Sequence, residues 1–387
     1  MNRTNQNLLS LACDGVQGLK PYEAGKPIEE LEREYGISNV VKLASNENPL
    51  GTSQKVRDVI AHAVSNIALY PDGNAFYLKE AIATHLSQPT ATAVPHIAAD
   101  NITVGNGSND VLEIIARCFA NQNTEVIYSQ HAFAVYPIVT QAVGARHVVT
   151  PAKDWGHDLE AMANAISAKT RLIFIANPNN PTGTWLNAEA LYAFLSKVPE
   201  NVIVVVDEAY HEYLHQKAYA SAINWLDEFP NLIITRTFSK AYGLAGLRIG
   251  YSVSHPAVSD ILNRVRQPFN VNSVALVAAR AALSDTEFLN ASVKLNDAGM
   301  KQLTAAFKEM SLAYIPSVGN FVCVAVGEDG GCVYEALLKK GVIVRPVTAY
   351  QMPGYIRVSV GSADQNAFFI SALAEVLAQM RQGAPGP

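Results

Sequence analysis

Cysteine is scarce: Cys13, Cys118, Cys323 and Cys332 are the four in 387 residues, far apart and with no C-x-x-C pair. That excludes a disulfide framework and a zinc module, and a reducing, cytoplasmic setting is expected. An excess of positive charge is equally absent. With 29 Lys and Arg against 34 Asp and Glu the formal net charge is −5, so no global positive field exists to hold nucleic acid or an anionic bilayer. Long apolar runs are missing too. The purest, 202–206, is a quarter of the roughly 20 residues that span a membrane, and the apolar stretch 8–13 is too short for a signal-peptide core. Internal repeats and low-complexity segments are not found. What remains is a chain with 49% apolar residues, long enough for two domains, whose expected partners are small molecules and other protein chains.

From about Ser53 onward, short β-branched runs alternate with stretches whose apolar residues recur at helical spacing. Segments 101–104, 124–128, 171–175, 201–206 and 231–235 read as strands, and 202–206 lacks polar alternation, as a strand covered on both faces does. Segments 111–119 and 188–195 read as helices. The alternation predicts an α/β domain: a mostly parallel central sheet flanked by helices, with functional groups at the carboxyl ends of its strands. From about Ser273, a long helical stretch, strand-like pieces at 320–326 and 355–360 and a closing helix over 366–381 predict a smaller α+β domain. The expected division is an N-terminal arm, 1–45, with one helix near 28–35; a large domain, 46–275; a small domain, 276–382; and a disordered tail, 383–387.

Four segments carry chemistry. Gly105-Asn106-Gly107-Ser108-Asn109-Asp110 follows a strand and opens a helix, the setting in which backbone N–H groups and a helix dipole hold a phosphate. Asp110 stands where a dinucleotide fingerprint needs its third glycine, and alone the segment reads equally as a tight strand-to-helix turn. Asp207 ends the most apolar strand, in Val204-Val205-Val206-Asp207-Glu208-Ala209-Tyr210. A carboxylate buried there calls for a cationic partner, whereas a solvated strand end would leave it a helix N-cap. Lys240, in Thr235-Arg236-Thr237-Phe238-Ser239-Lys240-Ala241-Tyr242-Gly243, follows the next strand and shares that carboxyl edge, where an amine can be desolvated and made nucleophilic. Taken singly it reads as a surface charge. Asn177-Pro178-Asn179-Asn180-Pro181-Thr182-Gly183 is a dense turn, a plain loop by composition, or a rigid one that aims the Asn180 amide at a hydroxyl of a bound ring. Lysine, buried aspartate, hydroxyls, arginine and a glycine-capped helix together match the needs of pyridoxal phosphate: a Schiff-base amine, a pyridinium counter-ion and a phosphate cup.

In order and spacing, Asn180-Pro181-Thr182-Gly183, Asp207-Glu208-Ala209-Tyr210, Ser239-Lys240 and Gly246-Leu247-Arg248-Ile249-Gly250 resemble the signature of fold-type I, pyridoxal-phosphate-dependent aminotransferases, and the resemblance runs over nearly the whole chain. Leu19-Lys20-Pro21-Tyr22-Glu23-Ala24-Gly25, Leu43-Ala44-Ser45-Asn46-Glu47-Asn48-Pro49 and Tyr70-Pro71-Asp72-Gly73 resemble the histidinol-phosphate aminotransferase family of histidine biosynthesis. The resemblance implies that Lys240 forms the Schiff base and moves a proton between the substrate carbon and the cofactor's C4′, and that Asp207 keeps the pyridine nitrogen protonated. It implies that Asn180 and Tyr210 bond the ring's 3-oxygen, that Phe133 stacks on the ring, and that Gly107, Ser108, Asn109, Thr237, Ser239 and Arg248 hold the phosphate.

It further implies a homodimer in which Tyr70 reaches the partner subunit's cofactor phosphate, and a ping-pong exchange of histidinol phosphate and 2-oxoglutarate for imidazole-acetol phosphate and glutamate. Tyr22, Asn46, Asn180, Arg345 and Arg357 would bind substrate, the two arginines taking a phosphate ester or a carboxylate alike. Tyr22 and Asn46, on the arm, are expected to close over it. Phe133 stands where many family members carry tyrosine; relatives with an Ala-Phe…Tyr segment overlap with aminotransferases of aromatic amino acids, and that activity, alone or alongside the first, is the alternative reading. A phosphothreonine decarboxylase and a cofactor-binding transcriptional regulator are more distant readings; no basic DNA-binding cluster precedes the first motif.

Overall fold

The computed structural model describes residues 8–22, 25–87 and 95–383. Seven β-branched or apolar segments form its main sheet: β1 (Ile102–Gly105), β2 (Glu125–Ser129), β3 (Arg146–Thr150), β4 (Thr170–Ala176), β5 (Ile203–Asp207), β6 (Leu232–Thr237) and β7 (Gly250–Ser254). Their order is β1-β7-β6-β5-β4-β2-β3. The ladders from β6 through β3 are parallel, and β7 runs antiparallel to both its neighbours. The sheet is mostly parallel, as expected. Strands β3 and β7 lie outside the segments that the sequence marks as strands; Ser252 and Ser254 interrupt the apolar run of β7, yet both are buried.

Alternate side chains of the central strands feed two cores. Phe174, Val205 and Ile233 pack with Val111, Leu112 and Ile115 of helix Ser108–Phe119, whereas Ile173, Val204, Val206 and Ile234 pack with Leu191 and Phe194 of helix Ala188–Leu195 on the other side. Each such buried side chain contributes about 1.5–3 kcal/mol. Two covered faces explain why β5 shows no polar alternation.

The boundary expected at 275/276 requires correction. Helix Ser273–Leu283 runs through it, and its buried Ala275, Ala278, Ala279 and Ala282 belong to the large core. Alanine lets this helix lie close against helices Gln54–Ala63 and Phe76–Leu86, so the large unit extends through Leu283. Beyond it the long helix Thr286–Glu309 leads to an antiparallel sheet of β8 (Tyr314–Ile315), β9 (Phe321–Ala325), β10 (Arg345–Pro346) and β11 (Tyr355–Ser359), in the order β8-β9-β11-β10. The closing helix, Ala363–Gly383, takes in the first residue of the expected tail; 384–387 lie outside the described residues.

The arm is built into the small unit. Helix Ile28–Tyr35 buries Leu31 with Ala44, Leu338 and Ile343, and Val41–Lys42 pairs in parallel with Val342–Ile343. Replacing Leu31 by alanine is expected to cost about 2–4 kcal/mol through the cavity it leaves. A urea melt of that variant superimposing on the wild type would show that the arm is not docked this way.

Candidate active site

A cleft of about 800 Å³ opens where the carboxyl edge of the large sheet meets the arm and the small sheet, and every residue expected in the site lines it except Gly107 and Tyr70. At its floor is Asp207, 5% exposed at the end of β5. Its carboxylate accepts hydrogen bonds from the Tyr136 hydroxyl (2.9 Å) and the Thr235 hydroxyl (3.0 Å). Among the described residues it has no ion-pair partner within 4 Å. Burial pushes its pKa up, and the two hydroxyls only partly oppose that. Tyr136 is held in place by stacking on Phe174 at 4.7 Å and by the edge of Phe133.

Lys240 follows β6 and its Nζ donates to the carbonyl of Ser45 (3.1 Å). Desolvation first, then the positive charge of Arg357, lowers its pKa from 10.5 to about 8. The same low-dielectric setting that keeps protons on the acid strips them from the amine.

One end of the cleft is a cup of donors. Helix Ser108–Phe119 starts at Gly107 with no side-chain cap, leaving first-turn N–H groups for a ligand. Gly107 sits at φ +86°, and a Cβ there would come within 2.5 Å of Arg248 Nη2; one on Gly250 would come within 2.4 Å of the Ser108 nitrogen. Gly250 is required by this close approach of backbone, and Gly107 is favoured by its positive φ. Arg248 donates to the Ala245 carbonyl (3.1 Å) and Ser239 Oγ (3.4 Å), while the Ser239 nitrogen donates to Thr237 Oγ1 (3.1 Å). Asp110, the residue that breaks the dinucleotide fingerprint, accepts from the Asn106 nitrogen (2.7 Å) and the Asn270 amide (2.8 Å), bracing the turn. The donor set therefore fits a dianion at the helix start and a cationic ring atom at Asp207.

On the opposite wall, Arg357 of β11 is buried. Its Nη1 donates to Asn180 Oδ1 and its Nη2 to the Ala44 carbonyl, both at 2.6 Å, while the guanidinium lies over Phe321. Its Nε is buried without a partner among the described residues, a donor suited to an anion. With Asn180 Oδ1 engaged, the amide nitrogen is the group Asn180 can offer a ligand oxygen. Tyr22 is half-exposed at the mouth, its ring 5.3 Å from the Arg345 guanidinium.

Asn46, expected on a closing flap, is instead pinned. It is 1% exposed at φ +55°; its nitrogen donates to Ser359 Oγ, its Oδ1 accepts from that hydroxyl, and its Nδ2 donates to the Tyr210 oxygen (2.9 Å). Asn46 therefore orients Tyr210, whose own pKa burial pushes up to about 12. Tyr70 does not enter the cleft of its own chain: it is 83% exposed and stacks on Phe269 at 4.8 Å. Sequence reasoning missed Tyr136, Thr235 and Ser45 as partners of the central groups. Tyr136 falls in an ordinary apolar helical pattern and carries no signal of its own.

The aminotransferase class I and II family profile matches residues 38–373. Histidinol-phosphate aminotransferase 1 of Nitrosococcus oceani is 56% identical over 371 residues, covering 96% of this chain and 98% of that one. Histidinol-phosphate aminotransferase 2 of Pseudomonas aeruginosa is 52% identical over 374 residues, with 96% and 99% covered. Among solved structures, the histidinol-phosphate aminotransferase of Sinorhizobium meliloti in complex with pyridoxal-5'-phosphate superimposes with TM-score 0.85 at 30% identity, covering 95% of this chain and 97% of that one. The architecture is that of the fold-type I aminotransferases. The chain belongs to the class I and II aminotransferases and, within them, to the histidinol-phosphate aminotransferase family.

Because Lys240 loses its proton near pH 8, the neutral amine becomes about tenfold more abundant per pH unit up to that point and then levels off. Capture of pyridoxal phosphate by cofactor-free protein is expected to follow this curve, measured by stopped-flow absorbance, and to vanish in Lys240→Arg. A rate still climbing tenfold per unit to pH 10 would contradict the assigned environment.

Proposed function

We propose that this chain is a pyridoxal-phosphate-dependent enzyme that transfers the amino group of histidinol phosphate to 2-oxoglutarate, giving imidazole-acetol phosphate and glutamate, in histidine biosynthesis. The observation that carries the reading is one cleft holding a buried carboxylate with no ion-pair partner among the described residues, an amine of lowered pKa and a phosphate-sized donor cup. Relatives of that activity, matched over nearly their whole length, support the substrate. The bound cofactor supplies an aldehyde carbon that takes amines and a cationic ring that takes up the electron pair left when a Cα–H bond breaks.

Each residue then has a task set by its surroundings. Asp207, oriented by Tyr136 and Thr235, accepts the N–H of the ring nitrogen and keeps it protonated. Lys240, neutral at the upper end of the physiological range, would take the proton from the substrate Cα and deliver it to the cofactor's C4′, and the reverse in the second half-reaction. Tyr210, a phenol held protonated and aimed by Asn46, donates to the ring's oxygen, as does the Asn180 amide. Phe133 is the apolar wall beside Tyr136 on which the ring stacks. Ser108, Asn109, Thr237, Ser239 and Arg248 hold the phosphate. Arg357 and Arg345 take the substrate's anion, a phosphate ester in one half-reaction and a carboxylate in the other. Tyr22 covers the mouth over Arg345 and limits water.

A homodimer is part of the proposal. Ile67, Leu69, Tyr70 and Phe269 are exposed together, an apolar patch of the kind that marks an interface. Asn106 borders both the groove at Tyr70 and the cleft, so a second copy docked there brings its Tyr70 close to the phosphate cup. No described helix is long and apolar enough to cross a membrane, and four free cysteines suit the cytoplasm.

Turnover of histidinol phosphate and of phenylalanine by the purified enzyme, with 2-oxoglutarate as acceptor, tests the substrate. A kcat/KM higher for histidinol phosphate by roughly tenfold or more is expected from a site that pairs the phosphate. A preference for phenylalanine would overturn the reading in favour of aromatic amino acid transamination, which the apolar wall of Phe133, Val135 and Ile138 could also serve.

A further inference from the structure

Behind the carboxyl edge lies a buried ion pair that the chemistry above does not use. Asp207 of β5 stands in register with Thr235 of β6, and the next residue along each strand, Glu208 and Arg236, turns to the opposite face. Arg236 donates to Glu208 Oε2 from Nε (3.1 Å) and Nη2 (2.8 Å), and from Nη2 to Ser221 Oγ (2.9 Å). Ser221 donates in turn to the carboxylate (2.8 Å), and the Ala222 nitrogen reaches its Oε1 at 2.7 Å. Glu208 is 1% exposed and Arg236 6%. The backbone ties the same two strand ends, the Glu208 nitrogen donating to the Thr235 carbonyl at 2.9 Å. His211, 3.8 Å from Glu208, is kept neutral by burial and by Arg236; His85, Glu212, Tyr219, Tyr242, Tyr251 and Asp207 itself are the other titratable groups that face the pair.

A buried ion pair pays a desolvation penalty that matched apolar side chains avoid, so such a pair is weak evidence for stability. Its place, one residue from both Asp207 and Thr235, points to a different task. We propose that Glu208 and Arg236 are positioning residues for the cofactor site: their fork locks the ends of β5 and β6 so that Asp207 keeps its reach to Thr235 and to the ring nitrogen, and their opposite charges cancel beside the cofactor. The proposal rests on the cofactor reading above.

Holoenzymes of Glu208→Gln and Arg236→Met test it, with thermal melts to certify the fold. In Glu208→Gln an unpaired cation remains behind the site and disfavours the protonated cofactor; in Arg236→Met an unpaired anion favours it. The pH midpoint of the cofactor's visible band is expected to fall in the first and rise in the second, by about half a unit or more. In both, kcat falls roughly tenfold while KM for glutamate stays within about twofold, as for an interaction that matters in the transition state. Folded variants with the wild-type midpoint and kcat overturn the proposal, and so do midpoints that move in the same direction in both. Should neither single variant fold, the double variant Glu208→Leu with Arg236→Met leaves no buried charge unpaired: lost kcat at an unchanged melt supports the clamp, and wild-type kcat and midpoint overturn it. A wild-type holoenzyme without a visible band would overturn the cofactor reading instead.

Discussion

The cleft is organised around a carboxylate that the sheet buries without a cationic partner among the described residues. Asp207 is carried to its place by β5, which has no polar residue to spare because both its faces are covered. Two hydroxyls, from Tyr136 and Thr235, offset part of the desolvation, and the pKa stays raised because desolvation is the larger effect. A ring with a protonated nitrogen, as proposed, would remove that remainder. Fold stability and cofactor affinity are thereby linked, since a ligand bound only by the native state stabilises it.

The same dry environment has the opposite effect on Lys240, because burial disfavours whichever form is charged. Arg357 and Arg248 add like charge and lower its pKa further. Acid and amine are thus driven toward their neutral forms until a ligand arrives that carries a cation for one and a carbonyl for the other. Positive charge is gathered locally, at the helix start with Arg248 and on the far wall with Arg345 and Arg357, in a chain whose net charge is −5. An anion held here would owe its binding to placement rather than to overall field.

Much of this was legible in the sequence, for physical reasons. An unbroken apolar strand ending in aspartate left a buried acid and a solvated N-cap both open, and the acid is buried with two hydroxyls rather than the expected cation; a lysine after the next parallel strand shares its edge. The glycine-rich turn read equally as a plain turn or a donor cup, and the helix start without a capping side chain supports the second. Less legible were features that depend on side chains distant in sequence. Asn46 read as part of a mobile arm, yet its contacts with Ser359 and Tyr210 make it a fixed strut. Glu208 read as one of an acidic pair at a strand end; its partner Arg236 is hidden 28 residues on. The alanine-rich helix Ser273–Leu283 read as the start of the small domain, because alanine does not reveal which neighbour it packs against.

The central claim is that Asp207 holds a proton on the cofactor's ring nitrogen. The direct measurement is the ¹⁵N chemical shift of bound cofactor labelled at that atom. It is predicted to fall in the pyridinium range in the wild type across neutral pH and to move to the neutral pyridine range in Asp207→Ala; a neutral pyridine signal in the wild type would contradict the account.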